Sequence, residues 1–321
     1  MSLHVDERYR GAHGIGRYAR EVLPRLRPEW RPLMLDGSPY SPLDSFRPLP
    51  RLQSRDLVYS PGYGALVRAP RQVLTMHDLI QLRLPWPGRA KFVAYYSGPV
   101  RRAVHKAGIV LTVSETSAND IRTWLGDDTV RVVNAGSGCS VSFVPDGPAA
   151  ASADPYVLYV GNIRRHKNLD VLLRALALVP EGRLYAVLPR SEVSAAAARA
   201  MSLGVAERVD WLHGVADDRL AELYRGASAT MMPSVDEGFG VPALESIACG
   251  VPVIFWRGCA AVGEIVGDRG WAMETPQDAE EWAAAMTLAL SSCRRVAPPR
   301  GRFDWTRTAN IVSDVLEQFL D

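Results

Sequence analysis

The stretch SVDEGFGVPALESIACGVPVIF, residues 234–255, is the most informative part of the chain. It follows a short apolar run, ATMM at 229–232, and ends in a second run, VPVIF at 251–255. Between the runs, an acidic loop containing glycine leads into a helix predicted to begin near Pro242 and to end before Gly250. Proline near a helix start and glycine just past its end are the usual asymmetry. The order strand, loop, helix, strand predicts part of a parallel α/β sheet.

The same alternation extends over nearly the whole chain. Short apolar runs are typical of strands buried on both faces of a parallel sheet, and amphipathic stretches such as 168–179 lie between them as helices. We therefore predict an α/β fold with two doubly wound domains of about 150 residues each. The other predicted strands are 57–59, 73–76, 108–113, 131–133, 156–160, 184–188 and 209–212.

The predicted domain boundary lies in PDGPAAASADP, residues 145–155. This segment is rich in Pro, Ala, Ser and Asp and has no apolar period, which is typical of a linker. The last residues contain an amphipathic helix, with apolar positions that recur at helical spacing. We expect a first domain at 1–148, a second domain at 149–304 and a terminal helix at 305–321.

The composition bounds the classes of protein to which the chain can belong. Its 321 residues are 47% hydrophobic and 22% charged, near the averages for globular proteins. No apolar run approaches the roughly 18 residues of a spanning helix and no signal segment opens the chain, which argues against an integral membrane protein. The four cysteines show no C-x-x-C pair and no histidine at ligand spacing. We therefore expect no disulfide framework, no metal site and a cytoplasmic location.

Charge is distributed unevenly along the chain. Residues 1–150 carry 20 Lys and Arg against 13 Asp and Glu, whereas residues 151–321 carry 17 against 22. This difference is either drift between two domains or a basic half that faces an anionic partner, such as a phosphorylated acceptor or lipid headgroups. Nucleic acid is not expected, because no stripe of interleaved cations and aromatics is present. Under the second alternative, we expect peripheral contact with the inner face of an anionic membrane.

Two acidic residues in the opening stretch are candidates for binding a ligand. Ligands of open α/β sheets bind outside the carboxyl ends of the strands, where this loop is predicted to lie. Gly238 and Gly240 let backbone N–H groups approach a ligand, and the helix N-terminus favours negative charge. The carboxylates of Glu237 and Glu245 can each accept two hydrogen bonds from the vicinal hydroxyls of a sugar or ribose. The helix dipole alone explains one glutamate but not the combined pattern.

The basic loop GNIRRHKN, residues 161–168, is a second candidate because it follows the predicted strand at 156–160. Lys167 is one of only three lysines among 37 cationic residues, so arginine is the usual cation of this chain. The compact ammonium of a lysine, in a chain that otherwise uses arginine, indicates a point charge directed at a diphosphate. The alternative is a solvated lysine without a role.

Two elements of the first half have weaker signals. Gly14 and Gly16 lie at the start of a predicted helix whose N–H groups can receive a phosphate, but two glycines are equally typical of a loop. His77 and Asp78 end a predicted strand. Such a pair is either a turn or cap, or a contact with a substrate at the strand's carboxyl end.

These four elements together resemble the retaining nucleotide-sugar glycosyltransferases of family four, which have the GT-B fold. EGFGVPALES followed by CGVPVI is the most specific part of the resemblance. The resemblance implies two Rossmann-like doubly wound domains, a donor site in the interdomain cleft, and a terminal helix that crosses back to the first domain. It extends over most of the chain, through residues 11–18, 77–79, 113–121, 161–169, 237–253 and 303–305.

The resemblance implies a role for each candidate residue. Glu245 would bind the ribose hydroxyls, and Glu237 would hold the donor sugar beside its anomeric carbon. Lys167 would neutralise phosphate oxygens together with Arg165, and His77 would contact the sugar near the reacting face. The other donor contacts are expected from Gly14, Gly16, Asn162, Arg164, Phe239, Gly240 and Val241.

One position departs from the family pattern. Members often carry arginine directly after the glycine that corresponds to Gly161, whereas this chain has Asn162. The missing charge would then come from Arg164 or Arg165.

The resemblance also implies a reaction, in which a hexose passes from a nucleoside diphosphate sugar to a hydroxyl of a glycan, lipid-linked or small-molecule acceptor. The anomeric configuration is retained, and GDP-mannose is the preferred donor. Neither a metal nor a cofactor is expected, since the nucleotide sugar is itself a substrate. A nucleotide-sugar epimerase of the same fold and a non-catalytic nucleotide-sugar-binding protein are the alternatives. A dehydrogenase is disfavoured, because Gly14 and Gly16 lack the third glycine of G-x-G-x-x-G.

Overall fold

The computed structural model describes residues 1–11, 14–301 and 303–320. The chain divides into two compact units, the first comprising Met1–Gly138 and Phe303–Asp321 and the second comprising Cys139–Arg302. Each unit is a parallel α/β sheet with helices, as the alternating pattern predicts. Residues 12, 13, 302 and 321, which fall within the predicted glycine motif and the predicted domains, lie outside the described residues.

The sheet of the first unit contains six parallel strands in two hydrogen-bonded groups. One group has the order β2-β1-β3-β4 and the other is the pair β5-β6, which a bridge between Thr75 and Leu111 places beside β4. The strand order reverses between β1 and β3, as it does in flavodoxin-like sheets. The strands are β1 Leu3–Val5, β2 Trp30–Pro32, β3 Leu57–Ser60, β4 Gln72–Leu74, β5 Ile109–Thr112 and β6 Arg131–Asn134.

In the described residues, five α-helices follow these strands before the second unit begins. The best defined of them begins where the Ser114 side chain accepts a hydrogen bond from Ser117 N and ends at Gly126 in the left-handed conformation, which is a common helix stop. The helices are α1 Gly14–Val22, α2 Ile80–Arg83, α3 Arg89–Tyr95, α4 Arg101–Ala107 and α5 Glu115–Leu125.

The second unit has one six-stranded parallel sheet in the order β12-β11-β10-β7-β8-β9. This is the order of nucleotide-binding Rossmann sheets, and it reverses between β7 and β10. The strands are β7 Tyr156–Val160, β8 Arg183–Val187, β9 Val209–Leu212, β10 Ala229–Met232, β11 Val253–Trp256 and β12 Gly270–Met273. The helices are α6 Leu169–Ala177, α7 Arg190–Ser202, α8 Asp217–Gly226, α9 Val241–Ala248, α10 Ala260–Val266 and α11 Ala279–Leu290.

Both faces of the second sheet are buried, which explains why its strands are continuous apolar runs. Val157 and Tyr159 of β7 belong to a core cluster that includes Trp282 of α11. Leu158, which points to the other face, belongs to a separate cluster with Tyr224 of α8. Successive strand residues therefore enter two different cores, which favours largely apolar side chains at every position.

The second unit begins ten residues before the boundary predicted from the sequence, because Cys139 rather than residue 149 is its first residue. The segment between them packs on the second unit. The ring of Phe143 meets that of Tyr224 edge-on at 5.8 Å, and Arg225 Nε donates to Pro148 O at 2.7 Å. The Pro- and Ser-rich segment is thus held along one unit rather than forming an independent linker.

The last helix, α12 Trp305–Glu317, belongs to the first unit. It begins at Asp304, whose side chain accepts a hydrogen bond from Thr306 N at 2.8 Å. Trp305 is buried and lies edge-on to the ring of Tyr18 on α1. Among the described residues, none of the helices has both the length and the apolar character that crossing a bilayer requires.

We expect Gly138→Ala to lower the free energy of unfolding by about 1–3 kcal/mol, as overpacking usually does. A Cβ atom at Gly138 would lie 2.6 Å from the backbone N and from ring atoms of Trp305, which are already buried. Urea unfolding measures the change. Gly98→Ala is the matched control, because its Cβ would meet nothing within 4 Å. Equal stability of the two variants would contradict this packing of α12.

Candidate functional site

Two loops follow the strands between which the second sheet reverses its order. The loop after β7 contains residues 161–168, and the loop after β10 contains residues 233–240. A reversal of strand order leaves a crevice outside the carboxyl ends of the two strands, where ligands of such sheets bind. Val235 N donates to His166 O at 2.8 Å and joins the loops directly. Two motifs that are distant in the sequence therefore form one candidate site.

Lys167 and Glu237 form an ion pair at the centre of this site. Lys167 Nζ donates to Glu237 Oε1 at 2.6 Å. The side chains are only 17% and 10% exposed, so solvent screens their charges less than those of a surface pair. The structure thus brings together the cation and the anion that the sequence singled out in separate motifs.

Asn168 connects three loops at the same edge of the sheet. Its Nδ2 donates to Pro276 O at 2.6 Å and to Pro233 O at 3.3 Å, and its Oδ1 accepts from Gln277 Nε2 at 3.1 Å. It is buried, and among the described non-glycine residues it is the one with a positive φ, 53°. The side chain does not cap α6. Instead, it fixes the backbone that carries Lys167 relative to the loops after β10 and β12.

Glu245 lies within α9 and is almost completely buried. Its Oε2 accepts a hydrogen bond from the hydroxyl of Tyr224, on α8, at 2.9 Å. Burial and the nearby Glu245 carboxylate hold the pKa of Tyr224 well above its usual value, so the hydroxyl stays protonated and donates. The sequence contained no signal for this partner, because Tyr224 belongs to the apolar face of another helix.

The backbone between the two glutamates makes a tight approach to α10. Gly240 has φ 104°, a conformation that favours glycine, and a Cβ there would lie 3.1 Å from Val262 Cγ2. Phe239 is buried, and Val241, the first residue of α9, is half-buried. Helix α9 therefore begins directly after the loop that carries Glu237.

The loop after β7 presents two exposed arginines, Arg164 and Arg165. Asn162, which stands where the family often has arginine, shapes the turn instead: its Oδ1 accepts from Arg164 N at 3.0 Å and its carbonyl accepts from the Tyr159 hydroxyl at 2.7 Å. Within the part of the chain that the structure describes, no cluster of three or more His, Cys, Asp or Glu residues is suited to a metal ion.

His77, Gly14 and Gly16 all belong to the first unit. His77 follows β4, and its Nε2 lies 2.9 Å from Pro61 O, after β3. Its ring meets the ring of Tyr18, on α1, edge-on at 4.9 Å between centroids. The structure thus places His77 against the same helix that Gly14 begins.

The two glycines of α1 have different environments. Gly16 is buried, and a Cβ there would lie 2.5 Å from Gly11 O. Gly14 is exposed, and a Cβ there would meet nothing within 4 Å. Close backbone packing therefore accounts for glycine at position 16, whereas no packing contact accounts for it at position 14.

An ionic cluster at the switch point of the first sheet was not predicted. Asp6 directly follows β1 and is fully buried, and Arg8 Nη2 donates to Asp6 Oδ2 at 2.8 Å and to Asp44 Oδ2 at 2.7 Å. The three residues of β1 are too few to show a strand period in the sequence. The cluster holds the loop after β1 to the segment around Asp44.

The fold is that of known glycosyltransferases. The crystal structure of WaaG, a glycosyltransferase involved in lipopolysaccharide biosynthesis, matches 98% of this chain and 95% of its own with a TM-score of 0.63 and 15% identity. The structure of Anabaena Alr3699/HepE in complex with UDP and glucose matches 81% of this chain and 77% of its own with a TM-score of 0.65 and 19% identity. At these identities the likeness shows the GT-B fold.

Sequence relatives are glycosyltransferases as well. O-antigen chain mannosyltransferase B of Escherichia coli is 29% identical over 283 residues, which are 80% of this chain and 74% of that protein. A D-inositol 3-phosphate glycosyltransferase of Rhodococcus jostii is 33% identical over 229 residues, 63% of this chain. The match spans about half of that second protein's length.

The family model of glycosyl transferases group 1 matches residues 145–297. This range includes β7 to β12 and every candidate residue of the second unit. Over these residues the chain is similar to the group 1 glycosyl transferases.

Proposed function

We propose that this chain transfers a hexose from a nucleoside diphosphate sugar to a hydroxyl group, with the anomeric configuration retained. The observation that carries the proposal is the Lys167–Glu237 pair at the strand reversal of the second sheet. A cation and a carboxylate in contact at this place match a ligand that joins an anionic diphosphate to a polyhydroxylated sugar.

The proposed role of Lys167 is to stabilise the negative charge that grows on the departing diphosphate. A preorganised cation, shielded from water, stabilises such charge without reorganising during the reaction. The exposed Arg164 and Arg165 and the N-terminus of α9 add positive potential. We therefore propose that cationic side chains, rather than a resident metal or cofactor, supply the charge.

The proposed role of Glu237 is to position Lys167 and the sugar. A donor that enters would exchange the direct pair for two new contacts: its phosphate oxygens accept from Lys167, and its sugar hydroxyls donate to Glu237. In the transfer, the bond from the anomeric carbon to the phosphate oxygen breaks and leaves its electrons on the diphosphate. The acceptor oxygen bonds to the anomeric carbon from the same face, and its proton passes to the leaving phosphate.

The first unit would contribute His77 and the start of α1. We propose that His77 contacts the sugar near the reacting face, and that the backbone at Gly14 and Gly16 closes over the diphosphate. Within the first unit, the ring of His77 packs against Tyr18 of the helix that Gly14 begins, so these residues lie near one another. For the donor itself we prefer GDP-mannose, since one relative is named a mannosyltransferase. The acceptor class stays open between a glycan, a lipid-linked sugar and a small molecule.

We expect Lys167→Ala to lower kcat by about 10²–10³, because removal of a preorganised charge from such a site has this effect. Steady-state kinetics, with the donor chosen from a panel of nucleotide sugars by thermal shift, measures it. Arg199→Ala is the control, since it removes an exposed cation paired with Asp170 in the same unit.

Three outcomes would contradict the proposal. An unchanged kcat in Lys167→Ala would show that Lys167 does not stabilise the charge on the departing diphosphate. Epimerised donor without an acceptor would indicate the epimerase, and donor binding without product from any acceptor would indicate a binding protein.

We expect Glu245→Gln to raise the donor KM by about 10–100-fold and to leave kcat within a few-fold, since a hydrogen bond to a charged group contributes about 1.5–3 kcal/mol. The expectation rests on ribose binding by the carboxylate. Tyr224→Phe is the control: it removes only the hydroxyl that donates to Glu245. If both variants raise KM equally and both unfold at lower temperature, Glu245 has a structural role instead.

We expect the protein to lose stability as the pH falls from about 6.5 to about 4. Burial, and then the charge of Lys167, lower the pKa of His166 from 6.5 to about 4. Between these two pH values the unfolded chain binds a proton at His166 that the folded chain does not. The contribution of His166 to the free energy of unfolding is therefore complete above pH 6.5 and declines below it. It is on the order of 1–3 kcal/mol, because one pKa unit corresponds to about 1.4 kcal/mol.

Urea unfolding at a series of pH values measures this dependence. His166→Gln should flatten the curve between pH 4 and 6.5, whereas His213→Gln, which changes an exposed histidine of the same unit, should leave it unchanged. An identical curve for wild type and His166→Gln would show that His166 does not carry the effect.

A further inference from the structure

Side-chain hydrogen bonds form a continuous network at the carboxyl edge of the second sheet. Arg174 Nη2, on α6, donates to Gln277 Oε1 at 3.2 Å and to Gln277 O at 3.1 Å. Gln277 Nε2 donates to Asn168 Oδ1 at 3.1 Å, and Asn168 Nδ2 donates to Pro276 O and Pro233 O. We name Arg174, Gln277 and Asn168 the amide network. It begins on α6 and ends at the loop after β10.

The direction of the amide network is determined by the groups at its two ends. A guanidinium group can only donate a hydrogen bond, and a backbone carbonyl can only accept one. The oxygen of the Gln277 amide therefore faces Arg174, and its NH2 group faces Asn168. The NH2 group of Asn168 is then directed at the two carbonyls. One orientation of each amide satisfies every hydrogen bond, so the network is specific as well as continuous.

The loop after β12, which supplies two of the contacts to Asn168, is itself held by α11. Both carboxylate oxygens of Glu281 accept backbone N–H groups, Oε1 from Glu274 N at 2.7 Å and Oε2 from Thr275 N at 3.0 Å. The indole Nε1 of Trp282, which is fully buried, donates to Thr275 O at 3.2 Å. Hydrogen bonds to a carboxylate are among the stronger ones in proteins. The loop after β12 is therefore a firm support for Asn168.

Asn168 is joined to both members of the ion pair at the candidate site. Its backbone continues directly from Lys167, and its amide binds Pro233 O, at the start of the loop that carries Glu237. Asn168 is only 6% exposed, so water competes little for these hydrogen bonds. The contact of 2.6 Å between Lys167 Nζ and Glu237 Oε1 thus joins two loops whose separation Asn168 sets.

We infer that Asn168 and Gln277 are positioning residues for the transfer reaction, which place the ammonium group of Lys167 where charge develops on the departing diphosphate. The inference rests on the proposed function, because the two residues act through Lys167 and are assigned no contact with the donor. A misplacement of about 1 Å in a reacting group can lower the rate about 10²-fold. Loss of the amide network is therefore expected to affect turnover, although the network lies behind the reacting groups.

Asn168→Gly is the main test of the inference. Glycine adopts the positive φ of position 168 readily, so the variant removes the side-chain hydrogen bonds and keeps the backbone conformation accessible. We expect kcat to fall about tenfold to 10²-fold and the donor KM to change by a few-fold at most, because the charge on the diphosphate grows in the transition state. Steady-state kinetics with the donor selected by thermal shift measures both parameters.

A double-mutant cycle with Lys167→Ala separates positioning from general support of the fold. If Asn168 acts through Lys167, Asn168→Gly should lower kcat by less than about threefold once the lysine is absent. A residue that only supports the fold would lower kcat by the same factor in both backgrounds. The melting temperature of each variant shows whether it is folded at the temperature of the assay.

The outer members of the amide network provide a graded comparison. Gln277→Ala removes the side-chain donor to Asn168 Oδ1 and should lower kcat about two- to tenfold, which corresponds to one hydrogen bond. Gln277 is exposed, so this variant replaces Asn168→Gly in the cycle if the latter does not fold. Arg174→Gln should have a smaller effect of the same sign. Arg199→Gln is the matched control, since it removes an arginine of the same unit that pairs with Asp170, and it should leave kcat unchanged.

Two results would overturn the inference while the proposed function stands. One is an unchanged kcat in folded Asn168→Gly, and the other is an equal loss of kcat in the presence and absence of Lys167. The second result would assign Asn168 a structural role. An unchanged kcat in Lys167→Ala would contradict the proposed function itself, and with it the inference that rests on it.

Discussion

The ion pair between Lys167 and Glu237 is the interaction on which the rest of the candidate site depends. Each charge would be costly in a half-buried crevice without the other, and their contact at 2.6 Å satisfies both. Under the proposed function, a ligand with adjacent anionic and hydroxyl groups would replace both partners at once. The stability of the pair and its proposed role in recognition both depend on one position in the sheet.

That position is set by the topology of the second unit. The strand order reverses between β7 and β10, and the two charged loops follow these strands. Asn168 restricts the conformations of these loops. Its side-chain amide donates hydrogen bonds to the loops after β10 and β12, and its own backbone has a positive φ. Asparagine adopts this left-handed conformation more readily than most other non-glycine residues, and the hydrogen bonds of its side chain hold it here. The loops are therefore held before a ligand arrives.

The two units differ in how they use charge. In the second unit, few cations stand at one crevice and the pKa of His166 is lowered, so the histidine adds no positive charge near neutral pH. In the first unit, Arg8 pairs with two buried carboxylates, whereas Lys91 of α3 and Arg102 and Lys106 of α4 are exposed. The first arrangement lies within residues 145–297, which match the family model of glycosyl transferases group 1. The second arrangement is a property of this chain's own surface.

The sequence by itself determined the parallel α/β class and most strands, because strands buried on both faces leave continuous apolar runs. It also singled out an acidic and a basic motif, each after a predicted strand, but not the ion pair that joins them. The sequence did not show β1, β2 or β12. These strands are only three or four residues long, and they are half exposed or lack an apolar period in the sequence. Only the tertiary structure decided that Asn168 clamps three loops, that Glu245 meets Tyr224, and that the second unit begins at Cys139. These contacts join residues far apart in the chain, and their geometry depends on how helices and strands pack, which no local pattern encodes.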